Sequence, residues 1–449
     1  MTPASPFSDT IFALASGRGR AGIAVVRVSG PDAGDALSRL MGTDTPPAPR
    51  LATRAKFSDP DTGDVLDDGL GLWFPAPASF TGEDVAELHV HGGPAVIAAL
   101  LSTLGRIKGL RPADAGEFSR RAFELGKLDL TSAEGLADLI EAETEAQRRQ
   151  AQRQAGGELA RLYEDWRSRL VRLLAYMEAD MDFTDEDLPD SLMAEALTAA
   201  TVLDADIETH LNDNHRAERL RDGLSLAIIG PPNAGKSSLL NLLARRDAAI
   251  VSDIAGTTRD VIEVHLDLGG YPLIIADTAG LRDVEGNEVE GEGVRRSRQR
   301  AAHADLKLAV LDASAAVPDP ETVALINDSP ADTLVVYNKG DLGDAPDAGP
   351  DGLTVSVKTG DGIETLMADF ERAVSERLES TGGPAPTRER HRRALEDCRA
   401  ALARAQSSDG IELAAEDLRL AARALGSITG RIDVEDLLDV IFGEFCIGK

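Results

Sequence analysis

Gly230, Gly235, Lys236 and Ser237 stand in the order GxxxxGKS, the spacing that a bound polyphosphate demands. Glycines let successive backbone N–H groups curl onto phosphate oxygens at a helix N-terminus. The Lys236 ammonium adds a point charge at the β- and γ-phosphates, and the Ser237 hydroxyl is placed to ligate Mg²⁺. The elements that must position this loop flank it. The apolar run Leu224 to Ile229 reads as a strand, and Leu239, Leu240, Leu242 and Leu243 carry a helical pattern after it.

The remaining parts of a nucleotide site follow in order. Thr257 and Thr258 lie in DIAGTTRD, where a hydroxyl can complete a Mg²⁺ shell and sense the γ-phosphate. An alternating strand VIEVHLDL, a Gly269-Gly270 turn and a second strand PLIIAD lead to Asp277 of DTAG, which can hold the metal through water, while the Gly280 N–H meets the γ-phosphate. The strand TLVVYNKGD carries Asn338, Lys339 and Asp341. An aspartate there accepts both N1–H and N2–H of guanine, an edge adenine lacks, so GTP is selected over ATP. A backbone N–H in Ser356-Val357-Lys358 is placed to contact guanine O6.

The predicted GTP site therefore comprises Asn233, Ala234, Gly235, Lys236, Ser237 and Ser238; Ser252, Asp253, Ile254, Ala255, Gly256, Thr257 and Thr258; Asp277, Thr278, Ala279 and Gly280; Asn338, Lys339 and Asp341; and Ser356, Val357 and Lys358. Leu281 follows DTAG, so the glutamine that orients water in Ras-type enzymes is absent. Glu285, Glu288, Glu290 and Glu292 are the candidates to replace it. The Asn233 amide oxygen can ligate a monovalent cation between the β- and γ-phosphates in place of an arginine finger, with Arg259 and Arg282 as alternative fingers.

Composition narrows the class. A charge of −30 and a pI near 4.6 exclude a protein that coats nucleic acid or anionic membrane nonspecifically, so contact with nucleic acid must be local or arranged by a partner. Two cysteines, Cys398 and Cys446, make no disulfide framework. No run of 18 or more apolar residues appears, and the N-terminus lacks a charged start before an apolar core. A soluble, cytoplasmic protein is expected. Only eight of the 47 basic residues are lysine, so a lysine kept in this chain hints at a role for a compact ammonium.

The fold class expected is α/β plus all-α. Residues 1–120 read as a mixed α/β domain, with strands near Ile23 to Val28, Leu70 to Phe74 and Val85 to Val90. Glu87, His89 and His91 alternate on the third strand, which suits a pocket wall or polar edge better than a metal site. Residues 121–221 are helical, 222–376 alternate strand and helix as a Ras-like P-loop domain, and 377–449 are helical again. The α/β unit thus reads as inserted into one helical domain made of two chain segments. The basic run Arg388 to Arg393 is expected to be a solvated helix face with intrahelical pairs.

With these motifs assembled, the chain resembles the tRNA-modification GTPase family MnmE (TrmE) over its full length. GRGRAGIAVVRVSG, SFTGEDVAELHVHGGP, GEFSRRAFELGKLDL, PPNAGKSSLLN, DIAGTTRD and the terminal FCIGK carry the likeness. The resemblance implies an N-terminal folate-binding domain that dimerises, a discontinuous helical domain and an inserted GTPase domain. It implies that GTP hydrolysis drives, with the flavoprotein MnmG in a heterotetramer or larger complex, addition of an aminomethyl or carboxymethylaminomethyl group to C5 of the wobble uridine of certain tRNAs. The carbon comes from a tetrahydrofolate derivative of the 5-formyl or 5,10-methylene type. By motif, Asn233, Ser252, Ile254 and Thr257 coordinate K⁺, Ser237 and Thr258 hold Mg²⁺, and Glu290 orients water. Arg27, Glu87, Lys127 and Lys449 line the folate site. Cys446 is the family's candidate catalytic thiol; the residue alone reads equally as a small buried hydrophobe. Pro231 departs from the family's usual arginine, and Val357 from its common alanine.

Two other classes compete. An Era/Der-type ribosome-assembly GTPase would carry a GXXG-bearing KH pattern, which is missing. A dynamin-like assembly protein would need a basic amphipathic helix or lipidation signal, and CIGK is not an aliphatic prenylation sequence.

Overall fold

A computed structural model describes residues 7–182, 191–246, 264–275, 304–347, 349–379, 383–408, 410–432, 435–443, 445 and 448. The chain divides into two compact units. One gathers 1–137, 154–200 and 400–449, and the other 138–153 with 201–399.

The first unit is built on six strands: β1 (Thr10–Leu14), β2 (Ala21–Ser29), β3 (Thr53–Ser58), β4 (Val65–Phe74), β5 (Val85–Gly92) and β6 (Leu110–Pro112). Their order is β3-β4-β5-β2-β1-β6, antiparallel except for the β1–β6 edge. Period-two alternation sorts the faces. Ala24, Val26 and Val28 of β2 and Leu88 and Val90 of β5 bury into one core with the helices Ala33–Met41 and Pro94–Arg106, so Arg27 and Glu87, paired across strands, fall on the opposite face. Gly42 ends the first helix in the left-handed conformation that an L side chain resists. Farther along, helices Glu158–Asp182 and Ile411–Thr429 pack along each other. Phe442 contacts Phe123 and Phe445 at ring separations of 6.1 and 5.6 Å, closing a core with Leu130 and Ala133.

The second unit carries β7 (Leu224–Ile229), β8 (Val264–Leu268), β9 (Tyr271–Ile275), β10 (Leu306–Asp312), β11 (Thr333–Asn338) and β12 (Leu353–Thr354). Their order is β12-β11-β10-β7-β9-β8, parallel but for the β8–β9 hairpin. Gly269 and Gly270 form its two-residue turn with φ of +58° and +90°, which matches strand twist and favours glycine. The strands are apolar on both faces. Leu226, Leu308 and Val310 pack toward the helices Lys236–Arg246 and Ile363–Leu378, whereas Ile229, Ala309 and Leu311 pack toward the helix Pro320–Asp328, as a sheet covered on both sides requires.

Two expectations need correction. The helical segment expected over 121–221 is interrupted near its end: one helix stops at Leu211 and the next starts at Arg216. Asn214 and His215 adopt left-handed φ, and the Asp213 carboxylate accepts the His215 N–H at 3.1 Å, a local turn that competes with helix. The basic run at Arg388 to Arg393 is only partly a solvated face: Glu389 and Arg393 are exposed, but His391 and Arg392 are buried and Arg388 and Arg390 half-buried. Arg388 donates to Asp138 at 2.7 Å; Arg392 donates to Asp213 and to the Leu211 carbonyl at 2.7 and 2.8 Å; His391 is fully buried. Arg393 forms the expected exposed pair, with Glu389. The acceptors lie at distant sequence positions, so local charge pattern could not reveal them.

Candidate functional site

Gly230 leaves β7 with φ of +145°, and a Cβ there would stand 2.1 Å from the Val310 carbonyl oxygen of β10. Gly235 has φ of +98°, and its Cβ would stand 2.1 Å from Asn338 Nδ2. The glycines therefore admit close backbone approach from neighbouring strands as well as from a phosphate. Asn233 between them also takes positive φ, +63°, a conformation that asparagine tolerates better than most residues.

Lys236 opens the helix Lys236–Arg246, and its Nζ donates to the carbonyl oxygens of Gly230 and Pro231 at 2.9 and 2.8 Å. The ammonium is thus parked in the mouth of the loop on acceptors that phosphate oxygens can replace. Burial lowers its pKa from the ordinary lysine value, and Asp319 opposes the shift.

The residues predicted to meet the base gather around Asn338 at the end of β11. Its Nδ2 donates to the Ala234 carbonyl at 2.9 Å, and its Oδ1 accepts the Val357 N–H at 3.2 Å. One buried amide therefore ties the phosphate loop to the 356–358 loop. Asp341 is held in turn: the Ser356 hydroxyl donates to Oδ1 at 2.8 Å, and Lys358 Nζ lies 3.7 Å from Oδ2. Lys339 donates to Asp312 at 2.6 Å. Burial would raise the Asp312 pKa, but the Lys339 bond and Ser314 donors outweigh it and hold the carboxyl below its usual range. Sequence reasoning missed Asp312. Its one signal was an acidic residue ending the strand beside the one that carries Asn338 and Lys339.

Ser252, Asp253, Ile254, Ala255, Gly256, Thr257 and Thr258 lie outside the described residues. So do Arg259, Asp277, Thr278, Ala279, Gly280, Arg282, Glu285, Glu288, Glu290, Glu292, Cys446 and Lys449.

In the first unit, Arg27 donates to Glu87 Oε1 from Nε and Nη2 at 3.1 and 2.9 Å. Its guanidinium lies 4.9 Å from the Phe80 ring centroid and 5.8 Å from that of Phe118, so both partners are half-buried and held. His89 Nε2 approaches Glu87 Oε2 at 3.3 Å, while His91 turns to Asp67 at 2.8 Å. No group of three or more His, Cys, Asp or Glu suited to a metal occurs among the described residues. Lys127 packs over Gly82 and donates to the Pro77 carbonyl at 3.1 Å, which brings it to the loop that carries Phe80.

Sequence reading also missed Arg121, which is fully buried. It donates to Asp9 and Glu117 at 2.9 Å each and to both Glu83 oxygens at 3.3 Å. Glu83 accepts from Ser29, and Ser29 bonds Thr81 at 2.8 Å. This network ties the Phe80 loop to β2 two residues past Arg27, and Phe118 shares the helix Glu117–Glu124 with Arg121. Gly448 reaches the same sheet: a Cβ there would stand 2.1 Å from the Leu14 carbonyl oxygen, one residue beyond the Ala13–Arg27 pair.

Comparison with known proteins covers both units. The family model described as MnmE helical domain matches residues 130–446, and that described as GTP-binding protein TrmE N-terminus matches residues 10–127. The chain is similar to the "tRNA modification GTPase MnmE" of Paramagnetospirillum magneticum, 59% identical across 98% of this chain and 100% of that one. The protein of the same description from Rhodospirillum rubrum is 56% identical across 98% and 99%. The mitochondrial "5-taurinomethyluridine-[tRNA] synthase subunit GTPB3" of Danio rerio is 48% identical across 99% and 94%. No helix among the described residues is long and apolar enough to cross a membrane.

Proposed function

The chain belongs to the MnmE family of tRNA modification GTPases, and on that premise we propose that its GTP cycle drives addition of an aminomethyl or carboxymethylaminomethyl group to C5 of the wobble uridine of certain tRNAs. A flavoprotein of the MnmG type is the partner, in a heterotetramer or larger complex in the cytoplasm. Residues 1–120 form the folate-binding and dimerising domain, 121–221 with 377–449 the helical domain, and 222–376 the GTPase domain.

The observation that carries the nucleotide half of this reading is the Asn338 bridge between Ala234 and Val357. It couples the loop that grips phosphates to the loop that meets guanine. Asp341 accepts N1–H and N2–H of the base. Lys236 exchanges its two carbonyl partners for phosphate oxygens as GTP enters. Ser237 and Thr258 would hold Mg²⁺, and Asn233, whose positive φ turns its peptide within the phosphate loop, would hold K⁺ with Ser252, Ile254 and Thr257. Bound there, the two cations would neutralise charge developing on the leaving β-phosphate. Glu290 orients the attacking water.

The chemistry of the other site fits a folate. Glu87 offers a carboxylate to the donor edge of a pterin, Arg27 is a fixed cation between two rings, and Lys127 and Lys449 offer ammonium groups to the glutamate tail. Bound folate would supply the one-carbon unit, with Cys446 as the thiol delivered by the tail. Profiling wobble-uridine modification in a strain lacking this chain tests the reading. Modification should vanish and return with restored expression; an unchanged profile would refute it.

A further inference from the structure

At a net charge of −30 this chain repels RNA except where cations stand clear of carboxylates. Many of its arginines do not: Arg54 pairs with Asp68, Arg111 with Asp9 and Glu117, and Arg221 with Asp138. Arg18 and Arg20 differ. Both are exposed on the SGRGR segment between β1 and β2, and neither has an ion-pair partner among the described residues.

The segment is open on its outer side. Cβ atoms placed on Gly17, Gly19 or Gly22 would meet no heavy atom within 4 Å, so backbone there can lie close along a ligand. Its base is fixed, because Ser16 Oγ accepts the Val25 N–H at 3.2 Å. Beneath it is a cavity of about 710 Å³ with largely apolar walls, including Leu14, Leu101 and Pro112, to which Ser16, Ser102 and Arg18 bring polar groups. β6 pairs with β1 only from Thr10 to Phe12, and Ala13 and Leu14, beyond that pairing, line the cavity.

We propose that this loop and cavity dock the anticodon loop of the substrate tRNA, with Arg18 and Arg20 on consecutive phosphates and one everted pyrimidine in the cavity. The proposal rests on the wobble-uridine reading above and assigns it a place. An enzyme that alters a base must take it out of the stack. Apolar walls then replace the lost stacking partners, and the volume lies within the range of small-molecule pockets. Ser16 and Ser102 accept hydrogen bonds from Val25 N–H and Arg106, and each keeps a hydroxyl proton to donate. Uracil presents carbonyl acceptors at both positions 2 and 4, whereas cytosine turns an amino donor outward at position 4. Both hydroxyls can donate to the two uracil carbonyls at once, whereas cytosine would require one of them to accept instead through its remaining lone pair; the all-donating arrangement favours uridine.

The test is titration of the full-length protein with a labelled anticodon stem–loop carrying uridine or cytidine at the wobble position. The parent should bind the uridine form more tightly. Arg18→Glu with Arg20→Glu should weaken binding at least tenfold and flatten the log–log salt dependence by roughly two phosphate contacts, and the double lysine variant should restore most of it. Ser102→Trp, which fills the cavity mouth, should remove the preference for uridine. GTP hydrolysis and melting temperature, measured on the same preparations, should not move. Binding within twofold of the parent in the charge-reversed protein, or failure of the parent to bind the stem–loop, would overturn the proposal. Arginine-dependent binding with no preference between the two bases would overturn the placing of the pyrimidine in the cavity, while the wobble-uridine reading stands or falls separately on the modification profile.

Discussion

The nucleotide site and the Arg27 site are assembled on opposite plans. In the second unit the functional groups lie in short runs at the ends of parallel strands, and much of the work is done by backbone: two glycines at positive φ, the Gly230 and Pro231 carbonyls and the Val357 N–H. In the first unit the groups come from Asp9, Arg27, Phe80, Glu83, Glu87, Arg121 and Lys127, brought together by ion pairs of Arg27 and Arg121, a cation–ring contact and the Lys127 bond to the Pro77 carbonyl. The first plan writes itself into short motifs, because backbone geometry restricts residue type at fixed spacing. The second leaves almost no local signature, because a buried guanidinium can find its carboxylates anywhere in the chain.

Substitutions can break that contrast. The largest effect should come from Asp341→Asn. An amide donor facing guanine N1–H leaves buried polar groups mispaired, and GTP affinity should fall by on the order of 10³- to 10⁴-fold by calorimetry. Arg121→Met should leave Asp9, Glu83 and Glu117 without their shared cation and lower stability by about 3–5 kcal/mol. The loss should show as a lower first melting transition, with GTP hydrolysis retained below it. Phe80→Leu is milder: it removes one ring from the Arg27 cage, and if a folate binds beside Arg27 its affinity should fall by about 0.5–2 kcal/mol, while Phe80→Trp should preserve it. If K⁺ sits at Asn233, GTP turnover should be faster in K⁺ than in Na⁺, and equal rates would return the role to an arginine finger.

The smallest effect expected is one of pH, and it also separates the units. Burial, with His391 and Arg392 adding to it against Asp213, lowers the His210 pKa from 6.5 to about 4. A depressed folded-state pKa contributes stability above the unfolded value, and that stability is lost as pH falls from about 6.5 toward 4. Glu117 acts lower. Burial raises its pKa, but Arg111, the Asp114 N–H and Arg121 overcome this and pull it below 4.5. Its contribution is present above the unfolded pKa and is lost only as pH falls below it. Between pH 7 and 5 the second unit should therefore lose melting temperature before the first, and His210→Gln should flatten that dependence.

These plans explain what could be read in advance. Gly230, Gly235, Lys236, Asn338 and Asp341 were read as one site from spacing alone, and the structure brings Asn338 against Ala234 and Gly235; the Gly269-Gly270 hairpin was legible from its turn residues. β1 and β3 were not: Thr10–Leu14 and Thr53–Ser58 are five and six residues long and sit beside polar or glycine-rich stretches. Arg121 was not singled out, because the carboxylates of Asp9 and Glu83 that it holds lie far away in sequence. Asn338 was read as part of a base-recognition motif, yet in the structure its amide joins two loops.

The central claim is that the Lys236 loop and the Asp341 pocket bind one guanine nucleotide. Calorimetry of the purified protein with GTP, then ATP, in buffer containing Mg²⁺ and K⁺ tests it most directly. One GTP should bind per chain and resist displacement by ATP in large excess. Absence of GTP binding, or equal competition by ATP, would contradict the claim.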